Sequence, residues 1–127
     1  MGLERGFTML EMMMVLIVIV ILTSIALPAY NNGLIRSNRA AAQTYLMDLA
    51  NREEQYLADA RSYTTTVNTL LAAPAPVTAY YTVAISVPSG STIANAYLIT
   101  ATPIATSIQK NDGALTIDQD GRKTGTW

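Results

Sequence analysis

The 127 residues contain no cysteine and no histidine. Without cysteine neither a disulfide nor thiolate chemistry is open to the chain, so its stability rests on packing and hydrogen bonding. Without histidine, the usual zinc ligand sets and Ser-His or Cys-His catalysis lack a necessary member. Charge is sparse as well: 8 basic and 9 acidic side chains make up 13% of the residues and leave a formal net charge of −1. A basic excess that would announce nucleic acid is therefore absent. No phosphate-cradling glycine loop occurs. Nothing here assigns a catalytic residue, a metal or a cofactor, and an enzyme is not expected. This length predicts one domain, and 50% hydrophobic content supplies a core even after the most apolar stretch is set aside.

That stretch begins at residue 7. From Phe7 to Leu27 there are 21 residues, and Glu11 is the only charged one. As a helix rising about 1.5 Å per residue the segment spans roughly 30 Å, the thickness of a bilayer's hydrocarbon core. A carboxylate in such a segment is costly and calls for a partner or a job. Complementing the positive end of the helix dipole contributes only about 0.3–1 kcal/mol. An ordinary secretory signal fits poorly, although Leu27-Pro28-Ala29 could pass for its cut site. Met1-Gly2-Leu3-Glu4-Arg5 is nearly neutral, the apolar stretch is too long, and an acid lies inside it.

The arrangement Gly6-Phe7-Thr8-Met9-Leu10-Glu11 resembles the class III signal of type IV prepilins. The resemblance implies a leader of residues 1–6, cleavage between Gly6 and Phe7 by a prepilin peptidase, and N-methylation of Phe7. It also supplies the partner that the energetics demand. In filaments of this family the glutamate, here Glu11, meets the terminal ammonium of a neighbouring subunit. Residues 7–28 are then the membrane and assembly helix, and residues 29–127 a periplasmic body.

Pro28 is the first interruption of the helical run, where a kink or loosening is expected; Gly33 weakens the same stretch. The position resembles a helix-loosening proline of pilins that serves extensibility, while a simple boundary between membrane and periplasm accounts for it equally. Beyond it Ala42, Tyr45, Leu46, Leu49, Ala50, Tyr56, Leu57 and Ala60 recur at three- and four-residue intervals, and Arg39, Asp48, Arg52, Glu54 and Asp59 fall mainly elsewhere. One long helix from about Thr8 to Ala60 is predicted, with a membrane half and an amphipathic half over about 29–60. Tyr45 and Tyr56 are read as core aromatics, and Asp48 with Arg52 as a helical ion pair.

A loop follows over 61–79, in which Pro74 and Pro76 preclude a regular helix or central strand. Strands are predicted where Tyr81, Val83, Ile85 and Val87 alternate with smaller residues, over Ala96 to Thr102, and over Ala114 to Asp118, with Asp120-Gly121 turning the chain into Arg122-Lys123-Thr124. The expected fold class is α+β: a long N-terminal helix packed on a small antiparallel sheet of three to four strands, the latter over about 80–127. Asp118-Gln119-Asp120-Gly121 opens like a calcium loop, but the other ligands do not follow, so a turn is expected. Trp127 is either a hydrophobic latch or a frayed end.

Glu53-Glu54-Gln55-Tyr56, Ser62-Tyr63-Thr64, Tyr97 to Pro103, Asp112 to Asp118 and Gly121-Arg122-Lys123-Thr124, taken in that order, are similar to PilE-type minor pilins and their DNA-uptake relatives. The chain departs from many of them near Asp112-Gly113, where it lacks the cysteine that closes their C-terminal loop. The resemblance implies a structural subunit of a type IV pilus, of the minor kind, that supports pilus biogenesis, adhesion or twitching motility. Its implied partners are other pilin subunits, the prepilin peptidase and the inner-membrane assembly machinery. Its implied location is the inner membrane, single-pass with a periplasmic body, and then the extracellular pilus. The alternatives are a DNA-receptor pilin for natural transformation and a type II secretion pseudopilin. Lys110, Arg122 and Lys123 are the candidate DNA contacts, but Asp112, Asp118 and Asp120 lie among them, and DNA is not the favoured partner.

Overall fold

The computed structural model describes residues 6–127; residues 1–5 of the expected leader lie outside the described residues. The elements are a helix α1 (Met9–Ala60), two single helical turns α2 (Val67–Leu70) and α3 (Ala75–Thr78), and strands β1 (Tyr81–Ser86), β2 (Leu98–Pro103), β3 (Leu115–Asp118) and β4 (Lys123–Gly125). The chain divides into two compact units, one ending at Leu34 and one running from Ile35 to Trp127.

In the first unit Thr8 caps α1: its Oγ1 accepts the Glu11 N–H at 3.2 Å, which satisfies one of the helix's unpaired leading donors. The run Val15 to Ile21 is rich in β-branched residues, poor helix formers in water. In a hydrocarbon setting the helix is nevertheless the form that bonds every backbone group within the segment. The two hydroxyls near its end are also internally satisfied, Thr23 donating to the Ile19 carbonyl and Ser24 to the Ile21 carbonyl, each at 2.7 Å. Pro28 lies inside the helix. The interruption expected there is not a break in secondary structure, since proline's cost is confined to one missing backbone bond and its ring's crowding of the preceding turn.

In the second unit Ala42, Tyr45, Leu46, Leu49 and Glu53 are the buried residues of α1, one stripe at helical spacing. The apolar four of them pack with Tyr81, Ile85, Tyr97, Ile99, Leu115 and Ile117 in one core. Each large apolar side chain fully buried there contributes about 1.5–3 kcal/mol. Tyr45 is a core aromatic as expected, whereas Tyr56 is only half-buried and Ala60 is exposed. Arg52 does not pair with Asp48; its guanidinium donates to the Leu70 carbonyl at 3.2 Å, where a fixed acceptor replaces a solvated carboxylate.

The helix ends at Arg61, which takes the left-handed conformation (φ 58°) usual at helix termini but usually given to glycine. The loop expected over 61–79 contains α2 and α3. Pro76 is compatible with α3 because it occupies the opening turn, where N–H groups have no helical partner. The strands form an antiparallel meander in the order β1-β2-β3-β4, the upper number of the sequence expectation. Asp118 builds the last turn by accepting the N–H groups of Asp120 and Arg122 at 3.0 and 2.8 Å. Trp127 is a latch: its indole N–H donates to the Thr116 carbonyl at 3.0 Å, and its ring packs against the core.

Gly125 has φ 95°, and a Cβ there would overlap the carbonyl of Ala114. Gly125→Ala is predicted to destabilise the body by about 2 kcal/mol or more. Thermal unfolding monitored through Trp127 fluorescence checks this, because the displaced strand carries that residue out of its seat.

Candidate functional site

Two arrangements define what this molecule can do. The first is the apolar surface of α1. Phe7 is 78% exposed, and Met9, Leu10, Met12 to Leu22, Ile25 and Leu27 are all exposed within the chain. This helix is long and apolar enough to cross a membrane. Glu11 sits in its first turn, three residues after the capping Thr8. Thr-x-x-Glu is the capping-box spacing, so the sequence did hold a signal for Thr8 that prepilin-like reading passes over. Gly6, Phe7, Thr8 and Glu11 together line one shallow depression at the helix start.

The second is a buried polar clamp in the body. The segment between β2 and β3 carries Gln109, fully buried, and Asp112, whose side chain is 1% exposed. Arg39, on α1 and 30% exposed, meets the Asp112 carboxylate with both Nε, at 3.1 Å, and Nη2. The hydroxyl of Tyr81, from the first residue of β1, donates to the same carboxylate at 2.5 Å. The Gln109 amide lies 2.9 Å from the carboxylate, 2.8 Å from the Tyr81 oxygen and 2.9 Å from the Ile35 carbonyl. Asn38 donates to the Gln109 carbonyl oxygen at 3.4 Å. Burial alone would raise the Asp112 carboxyl, but bonds from Arg39, Tyr81 and Gln109 and the guanidinium charge outweigh it and hold it below the usual carboxylate range. The Tyr81 hydroxyl is pushed up, by burial first and then by its bond to Asp112.

This clamp ties helix, sheet and C-terminal loop together. Arg39 was legible only as a polar-face residue, Asp112 only as part of a motif and Gln109 not at all. The missing cysteine was the one signal that some other tie must exist.

A second buried acid, Glu53, stands on the stripe of core residues. Its Oε2 accepts the Thr64 N–H at 3.0 Å, and its Oε1 has no hydrogen-bond partner among the described residues. Burial pushes this carboxyl up, opposed by the Thr64 bond. Beside it Glu54 accepts the Tyr63 hydroxyl at 3.1 Å, and Tyr63 meets Tyr97 edge-on at 4.7 Å, so the acid pair braces the exit from the helix.

The candidate DNA contacts Lys110, Arg122 and Lys123 are all exposed. Arg122 and Lys123 are exposed at the β3–β4 turn, with the Asp118 carboxylate holding that turn. Lys123 stands 4.6 Å over the Trp127 ring. Lys110 is exposed in the loop before Gly113, and Gly113 lies against Thr126.

A long N-terminal helix whose later residues pack on a four-stranded antiparallel meander is the pilin fold. The crystal structure of the Neisseria meningitidis non-core minor pilin PilV is similar, with a TM-score of 0.55 over 74% of this chain and 90% of that one, at 18% identity. A family model described as "Type IV minor pilin ComP, DNA uptake sequence receptor" matches residues 28–116. The chain belongs to this type IV minor pilin family. No curated protein gives a significant match.

The clamp yields a prediction. Arg39→Ala leaves a buried carboxylate with its main counter-charge gone, and a loss of about 2–3 kcal/mol is expected, less than for a fully buried pair because Arg39 is partly solvated. The sign with pH follows from the depressed Asp112 value. Its stabilisation is complete above the unfolded carboxyl pKa and is lost as pH falls through the folded one. Chemical denaturation of wild type and Arg39→Ala at neutral and acid pH should therefore show the gap closing in acid; a gap that persists unchanged would contradict the assignment.

Proposed function

We propose that this minor pilin waits in the inner membrane as a single-pass protein with its body in the periplasm, and is then extracted into a type IV filament by the pilus assembly machinery. The observation that carries the reading is the apolar surface of α1, which none of the described residues covers, joined to a body that folds around its own core. Lipid covers that surface before assembly and the helices of other pilin subunits cover it afterwards. A prepilin peptidase cuts between Gly6 and Phe7, and Phe7 is then N-methylated. Glu11 pairs with the ammonium of a neighbouring Phe7 and sets the register, while Pro28 lets the helix loosen. The product is a structural subunit that supports pilus biogenesis, adhesion or twitching motility.

An unpaired carboxylate costs several kcal/mol in hydrocarbon. Glu11→Leu is therefore expected to insert in the membrane at least as well as wild type, yet to be recovered from sheared filaments roughly tenfold less, equivalent to about 1.4 kcal/mol of lost assembly energy. Immunoblots of membrane and filament fractions measure both. Equal recovery in filaments would refute charge pairing.

A second reading, a DNA-receptor pilin for natural transformation, is favoured by the description of the matching family. Against it, the chain from Pro28 onward carries seven basic and seven acidic side chains, so no net field draws in a polyanion. We expect the full-length chain in neutral detergent to bind duplex DNA only weakly at physiological salt, with Kd roughly 10⁻⁴ M or worse. Fluorescence anisotropy giving micromolar binding that Lys110→Ala, Arg122→Ala and Lys123→Ala together abolish would make the receptor reading the better one.

A further inference from the structure

The register of the meander decides how β1 uses its backbone. The Ile104 N–H donates to the Tyr80 carbonyl at 2.9 Å, and this pair lies one step beyond Tyr81 and Pro103 in the β1–β2 ladder. Hydrogen-bonded and non-hydrogen-bonded pairs alternate along an antiparallel ladder. Thr82, Ala84 and Ser86 therefore direct their N–H and C=O groups to β2, and Tyr81, Val83 and Ile85 direct theirs away from it. As β1 is the outer strand of the sheet, this second set lies along an open edge, and no loop backbone among the described residues bonds to it.

Natural sheet edges are guarded by charge, proline or a bulge. The opposite edge, β4, carries Lys123, whereas β1 reads Tyr-Thr-Val-Ala-Ile-Ser with no charge, proline or glycine. Beside Tyr81, Thr82 and Val83 runs a cleft of about 520 Å³, within the size range of roughly 300–1,000 Å³ usual for ligand sites. Its far wall is built by Thr65, Thr66, Asn68 and Thr78 with Val67 and Ala73, and no lining residue is charged. A polyanion finds no cation here and a cation no carboxylate. Donors and acceptors recurring every second residue, about 6.6 Å apart, are instead the spacing that another extended backbone presents.

We infer that this cleft takes an extended, uncharged segment of another polypeptide, which adds to β1 as a fifth strand. Such a segment bonds to Tyr81, Val83 and Ile85 through its main chain, and its threonine, serine or alanine side chains meet the hydroxyl and amide wall. Four residues, spanning about 13 Å, are enough to engage Tyr81 and Val83 together.

The test uses the full-length, ¹⁵N-labelled chain in neutral detergent micelles, with acetyl-Thr-Ala-Thr-Val-Thr-Ala-amide as the probe. Saturable binding is expected to slow amide exchange at Tyr81, Val83 and Ile85 at least tenfold while leaving Thr82 and Ala84 unchanged. The same peptide N-methylated at alternate residues should lose this effect. Val83→Pro removes one outward N–H at an edge position that tolerates proline, and should weaken binding about tenfold. Should that variant fail to fold, the methylated probe on the unaltered chain decides alone. Equal binding of the methylated peptide, or binding without slowed exchange at the three outward amides, would overturn the inference.

Discussion

The exposed apolar face of α1 is the constraint on which everything else in this molecule depends. A segment this hydrophobic cannot stay in water, and the described residues offer it no cover. Covering surface must come from lipid or from other helices. The body must then hold together without help from the chain's most hydrophobic segment. It does so with a single stripe of α1, from Ala42 to Leu49, laid on a short meander.

That economy explains the clamp. A core of this size leaves the C-terminal loop, long and without strands, to be fixed by something other than apolar burial. Asp112 draws Arg39, Tyr81 and Gln109 onto one carboxylate, and so joins three parts of the chain far apart in sequence. A disulfide would achieve the same closure by limiting the unfolded chain. The ionic version acts in the folded state, depends on pH, and is indifferent to redox conditions. Its desolvation cost offsets part of what it contributes to net stability.

Much of this was legible in sequence because it rests on period and composition. The helix, its apolar and amphipathic halves, and the α+β class follow from spacing that survives any detail of packing. Strands β1 to β3 are marked by alternation, and the turn at Asp118 by its acid and Gly121. The clamp was not legible, since it joins Arg39 to Asp112 across 73 positions, and no local pattern distinguishes an arginine that meets a buried carboxylate from a solvated one. Glu53 hid for a related reason: it occupies a core position of the stripe but carries a charge-bearing side chain, so residue type and helical position gave opposite signals. The two helical turns in the 61–79 segment escaped because four residues are too few to show a period and the prolines argued for coil. Prolines at the opening of a helix do not.

The central claim is that an uncovered apolar helix makes this chain a filament subunit. Intact-mass spectrometry of filaments sheared from cells producing the chain tests it most directly. The account predicts the protein in the filament fraction as a minority component, beginning at an N-methylated Phe7. Its absence from filaments, with the whole population in the membrane and the leader still attached, would contradict it.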